Sequence, residues 1–295
     1  MGKKLANEMS FLEHLEELRW HLVRSILAIM VFAILAFIFK DFVFSKIILA
    51  PKNPEFFTNQ MFCSFAQLVH IDKLCINSNP FQVINTQMAG QFMIHIMISL
   101  IVGLILSFPY IFYEFWRFFR PALYQNEKQY ASGAVFYSSV LFLLGVLFGY
   151  YLIVPLSVNF LGSYSVSEDV VSMINLRSYI STISSISLAS GVIFELPVMV
   201  YFLTKVGLVT PEFLRTYRRH SIVVILTLAA IITPPDIFSQ VMVCFPLVFL
   251  YEISIKISGR IIKKQDAKLA EEDNDDDEDK KDNEDKKDEE EKHTD

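Results

Sequence analysis

Cysteine is scarce: Cys63, Cys75 and Cys244 show no CxxC spacing and no histidine at ligand distance along the chain, which argues against a zinc or iron–sulfur centre. No nucleophile elbow, HExxH pair, phosphate loop or dinucleotide fingerprint occurs, so the chain offers nothing to the common enzyme classes, and no cofactor is expected. No period of 20 to 50 residues marks a repeat array. A cleavable signal is also missing. The first apolar run begins only after an amphipathic segment, without a small-residue cleavage site behind it, so that run is expected to stay as a membrane span. Charge is the most telling shortage, because several stretches of span length carry none or one charged residue.

What fills those stretches is apolar. With 53% hydrophobic residues, 27 Phe and a mean hydropathy of +0.40, the chain is too apolar for one soluble core and reads as an integral membrane protein. The formal charge of -6 conceals a division: residues 271–295 hold 16 acids and 5 lysines, leaving 21 cations and 16 acids before them, a basic body of net +5. An aromatic-free Lys/Asp/Glu run cannot bury enough surface to offset chain entropy, and the expectation for 258–295 is a basic, then acidic, disordered tail.

Taken in order, Phe11, Leu12, Leu15, Leu18 and Leu22 recur at helical spacing, with Glu13, Glu17, His21 and Arg24 on the other side, so residues 1–21 read as an amphipathic helix entering the membrane. Ser10 and Glu13 fit a capping box, whereas Glu17 has no such local duty. Six spans follow within a membrane domain of 22–257: about 22–39, 92–113, 134–161, 179–203, 221–233 and 237–255. Pro109 is expected to bend or end the second span and Pro155 to kink the third. The fourth carries Ser181, Ser184, Ser185, Ser187, Ser190 and Gly191, small residues that let helices approach closely. The fifth is about 20 Å long, short of a hydrocarbon core of about 30 Å.

Lys and Arg collect in the N-terminal stretch, at 114–133, at 205–220 and after 255, which puts these segments and both termini in the cytoplasm, as for a multi-pass protein of the inner membrane. Lys40 to Ile84 is then an external loop, and its Cys63 and Cys75 have two readings: a disulfide or two buried thiols. Between the second and third spans, Phe112 to Tyr130 packs eight aromatics, three cations and two carboxylates, and reads as a cytoplasmic loop gripping the membrane surface.

Two polar residues fall inside spans. His95 stands alone and reads as a packing or hydrogen-bonding residue. Glu195 costs about 2.5 to 3.5 kcal/mol on insertion scales, which makes it a functional candidate; its alternative is an internal hydrogen bond to Gln240. An ion-coupled secondary transporter would also use such a carboxylate.

Several motifs separate these readings. Phe115, Trp116, Phe118, Pro121, Ala122, Leu123, Tyr124 and Glu127 form a long gapped pattern, and His14, Leu15, Glu17, Leu18 and Arg19 a shorter one. Ser190, Gly191 and Phe194 to Val198 form a third, Thr233 to Asp236 with Phe238, Ser239 and Gln240 a fourth, and Leu250, Tyr251 and Glu252 close the series. In this order they resemble the TatC family of twin-arginine translocase subunits. The resemblance implies an all-α, glove-like bundle of six transmembrane helices that binds twin-arginine signal peptides and exports folded proteins with TatA- and TatB-type partners, driven by the proton-motive force. It also implies site residues: Glu17, Glu127, Arg19, Phe118 and Pro121 for the signal peptide, and Glu195, Gln240 and Asp236 for a polar partner site in the membrane.

Overall fold

The computed structural model describes residues 11–70, 75–76, 82–119, 131–164, 167, 173–233 and 237–292. Apart from two short strands and the connecting turns these residues are helical. The elements are α1 (Phe11–Ile38), α2 (Phe57–Val69), β1 (Val83–Ile84), α3 (Gly90–Phe119), α4 (Ala131–Phe148), α5 (Val154–Ser163), β2 (Ile174–Asn175), α6 (Leu176–Phe194), α7 (Leu196–Lys205), α8 (Pro211–Thr216), α9 (Arg218–Ile232) and α10 (Ile237–Lys292). Among the described residues, five helical stretches are long and apolar enough to cross a membrane: Leu15–Ile38, Gly90–Phe118, Gly133–Ser163, Leu176–Lys205 and Gln240–Ala267. The expected fifth span falls on α9, whose 15 residues span only about 22 Å.

The chain forms two compact units, one of Met1–Glu195 with Val224–Leu247 and one of Leu196–Val223 with Val248–Asp295. In the first, α1 lies along α3, and α6 packs against α4 and α3. Both contacts depend on missing side chains. A Cβ on Gly103 of α3 would stand 2.7 Å from the backbone nitrogen of Ala33 in α1, and one on Gly145 of α4 would stand 2.6 Å from the carbonyl oxygen of Ser190 in α6. The serine-rich stripe of the fourth span is therefore a packing face: Ser184, Ser187 and Ser190 are buried together with Gly191.

Three boundaries differ from the sequence reading. α3 does not stop near 113 but runs through Pro109 to Phe119, so Phe112 to Phe119 is helix end and not loop; membrane helices tolerate an internal proline more readily than soluble ones. Near Pro155 the helix widens into π-helical turns at Gly149–Ile153, which accommodate the missing N–H without ending the span. α10 continues through the basic and acidic segment to Lys292, where disorder was expected. After Gly259 that segment holds neither Gly nor Pro, and it sets acids four residues ahead of lysines, as Asp276 before Lys280 and Asp282 before Lys286.

The segment between α1 and α3 is pinned from several sides. Cys63 and Cys75 form a disulfide, which resolves the two readings in favour of the bridge. Asn59 is fully buried and donates to the carbonyls of Pro51 at 3.0 Å and Asn53 at 2.7 Å, while β1 pairs in parallel with β2, Val83 opposite Ile174. In the second unit, Thr210 caps α8 by accepting from the Phe213 amide at 3.2 Å, Pro211 follows at the first helical position, and the Leu214 carbonyl accepts from the Tyr251 hydroxyl at 2.8 Å.

The close approach of α4 and α6 predicts that Gly145→Ala destabilises the protein by about 1 to 3 kcal/mol through overpacking. Gly133→Ala, where an added Cβ meets nothing within 4 Å, serves as the control and is expected to be neutral or slightly stabilising. Equilibrium unfolding in detergent micelles measures both, and equal midpoints would refute the packing account.

Candidate functional site: carboxylates within and beside the spans

A membrane span leaves no water for a polar side chain, so each one here must find a partner on a neighbouring helix. α1 meets this by turning its polar stripe inward. His21 is 5% exposed, whereas Leu15, Leu18 and Leu22 of its apolar stripe are 45%, 42% and 59% exposed, as a lipid-facing surface requires. The His21 Nδ1 donates to Glu114 Oε2 on α3 at 2.5 Å, and Arg24 Nη1 lies 3.8 Å from the same oxygen. Glu114 is 2% exposed. Its selection was missed at the sequence level, although the histidine and the arginine stand one helical turn apart and so can face one carboxylate together.

The track has an outer end. His21 Nε2 is 4.0 Å from Glu17 Oε1, and the Glu17 side chain is 40% exposed. The Phe118 ring, on the last turn of α3, approaches the His21 ring edge-on with centroids 6.1 Å apart. Glu17, His21, Glu114, Arg24 and Phe118 thus form one continuous cluster between α1 and α3. Arg19 does not join it. Arg19 lies 3.7 Å from Glu16 on the exposed side and its guanidinium stands 5.7 Å from the Trp20 ring, since three residues separate Arg19 from Glu16 along one helix face. Glu127, Pro121 and Asp236 lie outside the described residues.

The second cluster surrounds Glu195, where α6 ends and α7 begins. Pro197 has no amide to continue the ladder, so the Glu195 N–H closes a tighter turn on the Val192 carbonyl at 3.1 Å. This turns the side chain toward α4. Ser138, fully buried, donates its hydroxyl to Glu195 Oε2 at 2.7 Å, while Oε1 is buried without a hydrogen-bond partner among the described residues. The alternative reading of Glu195, a bond to Gln240, is not found among the described residues: Gln240 Nε2 donates to the Leu226 carbonyl at 3.4 Å. Ser138 carried no sequence signal, being one serine among many on an apolar helix. A carboxylate buried with one donor is under-satisfied, and a hydrogen-bond donor from elsewhere would be favourable there.

His95 behaves as the sequence suggests. Its ring stacks on Phe37 with centroids 3.9 Å apart, and Nε2 lies 3.1 Å from the Phe37 carbonyl oxygen. In the second unit the Leu250, Tyr251 and Glu252 motif has a structural meaning: Arg218 donates to Glu252 at 2.5 Å, and Ser221 donates to the Tyr251 hydroxyl at 2.9 Å.

Comparisons with known proteins agree with this architecture. A family model described as Sec-independent protein translocase protein (TatC) matches residues 13–246. Relatives named Sec-independent protein translocase protein TatC include that of Blattabacterium sp. subsp. Periplaneta americana (strain BPLAN), 40% identical over 265 residues, which cover 89% of this chain and 100% of the relative. That of Aquifex aeolicus (strain VF5) is 34% identical over 259 residues, covering 87% and 98%. A solved structure described as the crystal structure of twin arginine translocase receptor TatC is 33% identical, covers 85% of this chain and 100% of its own, and superimposes with a TM-score of 0.61. A second, in DDM, reaches a TM-score of 0.64 at 34% identity. The chain therefore belongs to the TatC family, as a non-enzymatic, multi-pass membrane subunit of the twin-arginine protein translocase.

Proposed function

We propose that this subunit is the signal-peptide receptor of its translocase, and that Glu17 and Glu127 receive the two arginines of a twin-arginine signal peptide on the cytoplasmic face. The observation that carries the reading is the setting of Glu17. It is a half-exposed carboxylate whose described ion-pair partner, His21, is buried, held by Glu114, and stands 4.0 Å away. A guanidinium arriving from water can therefore take Glu17 in a bidentate pair without first displacing a close cation. Phe118 borders the same cluster, and Pro121 leads toward Glu127 in the segment that follows; Arg19, already beside Glu16, flanks it on the exposed side. The similar solved structures carry the word receptor in their descriptions, which supports the same role here.

The remaining parts of the reading follow from charge and length. Both termini lie in the cytoplasm and the chain crosses the inner membrane six times, α9 being the short fifth crossing, because the basic segments fall on one side only in that arrangement. TatA- and TatB-type single-span subunits complete the translocase, which exports folded proteins on the proton-motive force. Glu195, with Gln240 and Asp236 in the same region of sequence as the short spans, is where such a span would bring a polar group: Glu195 Oε1 is the acceptor it would satisfy.

Two outcomes check this. Glu17→Ala or Glu127→Ala should weaken binding of a twin-arginine peptide by roughly ten- to a hundredfold, since a hydrogen bond to a charged group contributes about 1.5 to 3 kcal/mol, with less loss where solvent screens the site. A twin-lysine peptide should bind poorly to the parent and be little changed by either substitution. Equal affinity of the parent and the double variant for the twin-arginine peptide, at low salt and with intact folding, would sink the assignment. The second outcome concerns Glu195→Ala, which removes an under-satisfied buried carboxylate and should leave insertion and detergent stability intact while impairing assembly and transport. Normal transport by this variant would make Glu195 purely structural. Ion flux through liposomes holding this subunit alone would instead favour an ion-coupled transporter.

A further inference from the structure

Helix α2 divides into three sectors. Its thirteen residues, FTNQMFCSFAQLV, contain no charge at all. One sector, Thr58, Asn59, Phe62 and Ala66, is buried against the protein. A second, Gln60, Ser64 and Gln67, is exposed and polar. The third, Phe57, Met61, Phe65 and Leu68, is exposed at 68%, 48%, 53% and 77% and wholly apolar. At about 3.6 residues per turn the exposed apolar and exposed polar sectors lie side by side, about a quarter-turn apart. A soluble loop helix has no reason to show such a stripe to water.

The partners of the buried sector give the depth of the helix. Phe62 packs with Ile76 and Leu156, and against Leu152. Thr58 donates its hydroxyl to the Tyr151 carbonyl, and Phe56, the residue before the helix, stacks on the Tyr151 ring with centroids 5.4 Å apart. Tyr151, Leu152 and Leu156 belong to the third span, Gly133–Ser163, which at 31 residues is about 46 Å long and exceeds the hydrocarbon core by about 16 Å. If the two ends share that excess, about 8 Å emerge beyond the core on the Ser163 side. Leu156 lies about 10 Å before Ser163 and Tyr151 about 18 Å, so α2 is held at the edge of the hydrocarbon and just within it. The span that holds α2 also exposes apolar side chains of its own, Leu144, Leu147 and Tyr151, at 52%, 52% and 42%.

We propose that α2 is an interfacial membrane helix, whose Phe57, Met61, Phe65 and Leu68 stripe lies among the acyl chains of the leaflet on the Ser163 side while Gln60, Ser64 and Gln67 face the headgroups. The residue pattern of an interfacial amphipathic helix is met, and the lack of any Lys or Arg in it favours contact through acyl chains over contact through anionic headgroups. The Cys63–Cys75 disulfide closes the loop that carries this helix and places it on the oxidising, outer side of the membrane. The inference stands apart from the receptor reading, since it uses neither Glu17 nor Glu127.

The test uses the full-length protein, alone in phosphatidylcholine vesicles, with Trp20→Phe and Trp116→Phe removing the native indoles and Phe65→Trp or Gln60→Trp introducing one reporter. Phospholipids brominated along the acyl chains should quench Phe65→Trp several-fold more than Gln60→Trp, with blue-shifted emission from the former, and adding anionic lipid should leave the difference unchanged. Retention of the disulfide on a non-reducing gel verifies the fold of each variant. Equal quenching of both reporters by aqueous iodide, with no effect of brominated lipid, would overturn the proposal. So would a Phe65→Trp signal shielded from lipid and iodide alike, which would assign the stripe to a second copy of the chain.

Discussion

A carboxylate inside a membrane span must be paired, and the pairing of Glu114 with His21 sets α1 against α3. A hydrogen bond to a charged group contributes about 1.5 to 3 kcal/mol, so the contact offsets much of the cost of burying its own acid near the end of the span. The consequence is directional. With His21 committed inward, the rest of α1 is oriented: Leu15, Leu18 and Leu22 face lipid, Ala33 and Ala36 face α3, and Gly103 lets the two backbones meet. Glu17 is left at the rim, one turn before the buried pair and open to water on one side.

The other intramembrane carboxylate is treated differently. Glu114 faces a histidine and an arginine, whereas Glu195 has a serine on one oxygen and, among the described residues, no hydrogen-bond partner on the other. The close packing of α4 and α6 holds Glu195 at the break before Pro197 and leaves it with an unmet acceptor. A satisfied polar group fixes one packing, and an under-satisfied one favours whatever supplies the missing donor. The two acids divide along that line, one pairing two helices and one, in the reading proposed above, left for a partner.

Much of this was legible in the sequence because membrane spans announce themselves by length and lack of charge. The first four apolar runs each fall within a long helix, although α3 runs past its apolar end to Phe119, and Gly191 and its serines mark a packing face by size alone. The α1 stripe of Glu17, His21 and Arg24 was visible, but not its direction: periodicity separates a polar face from an apolar one without saying which is buried, and in a membrane the usual assignment inverts. Glu114 was hidden inside an aromatic cluster that reads as loop, and it became a site residue only when α3 ran past Pro109. The Ser138 partner of Glu195 was not legible because sequence offers no distance between spans, and Gln240 was the more conspicuous polar side chain. The acidic segment of α10 was read from composition, which opposes burial but does not oppose a solvated helix rich in Glu, Lys and i,i+4 pairs.

The dependence of the scaffold on the buried pair is most directly measured by a double-mutant cycle on His21 and Glu114, with unfolding in detergent as the readout. His21→Ala and Glu114→Ala should each be strongly destabilising, and the double variant should lose far less than their sum, with a coupling of roughly 1 to 3 kcal/mol. Single losses that simply add, within about 0.5 kcal/mol, would mean that the two residues stand beside each other without holding α1 to α3, and would contradict the account.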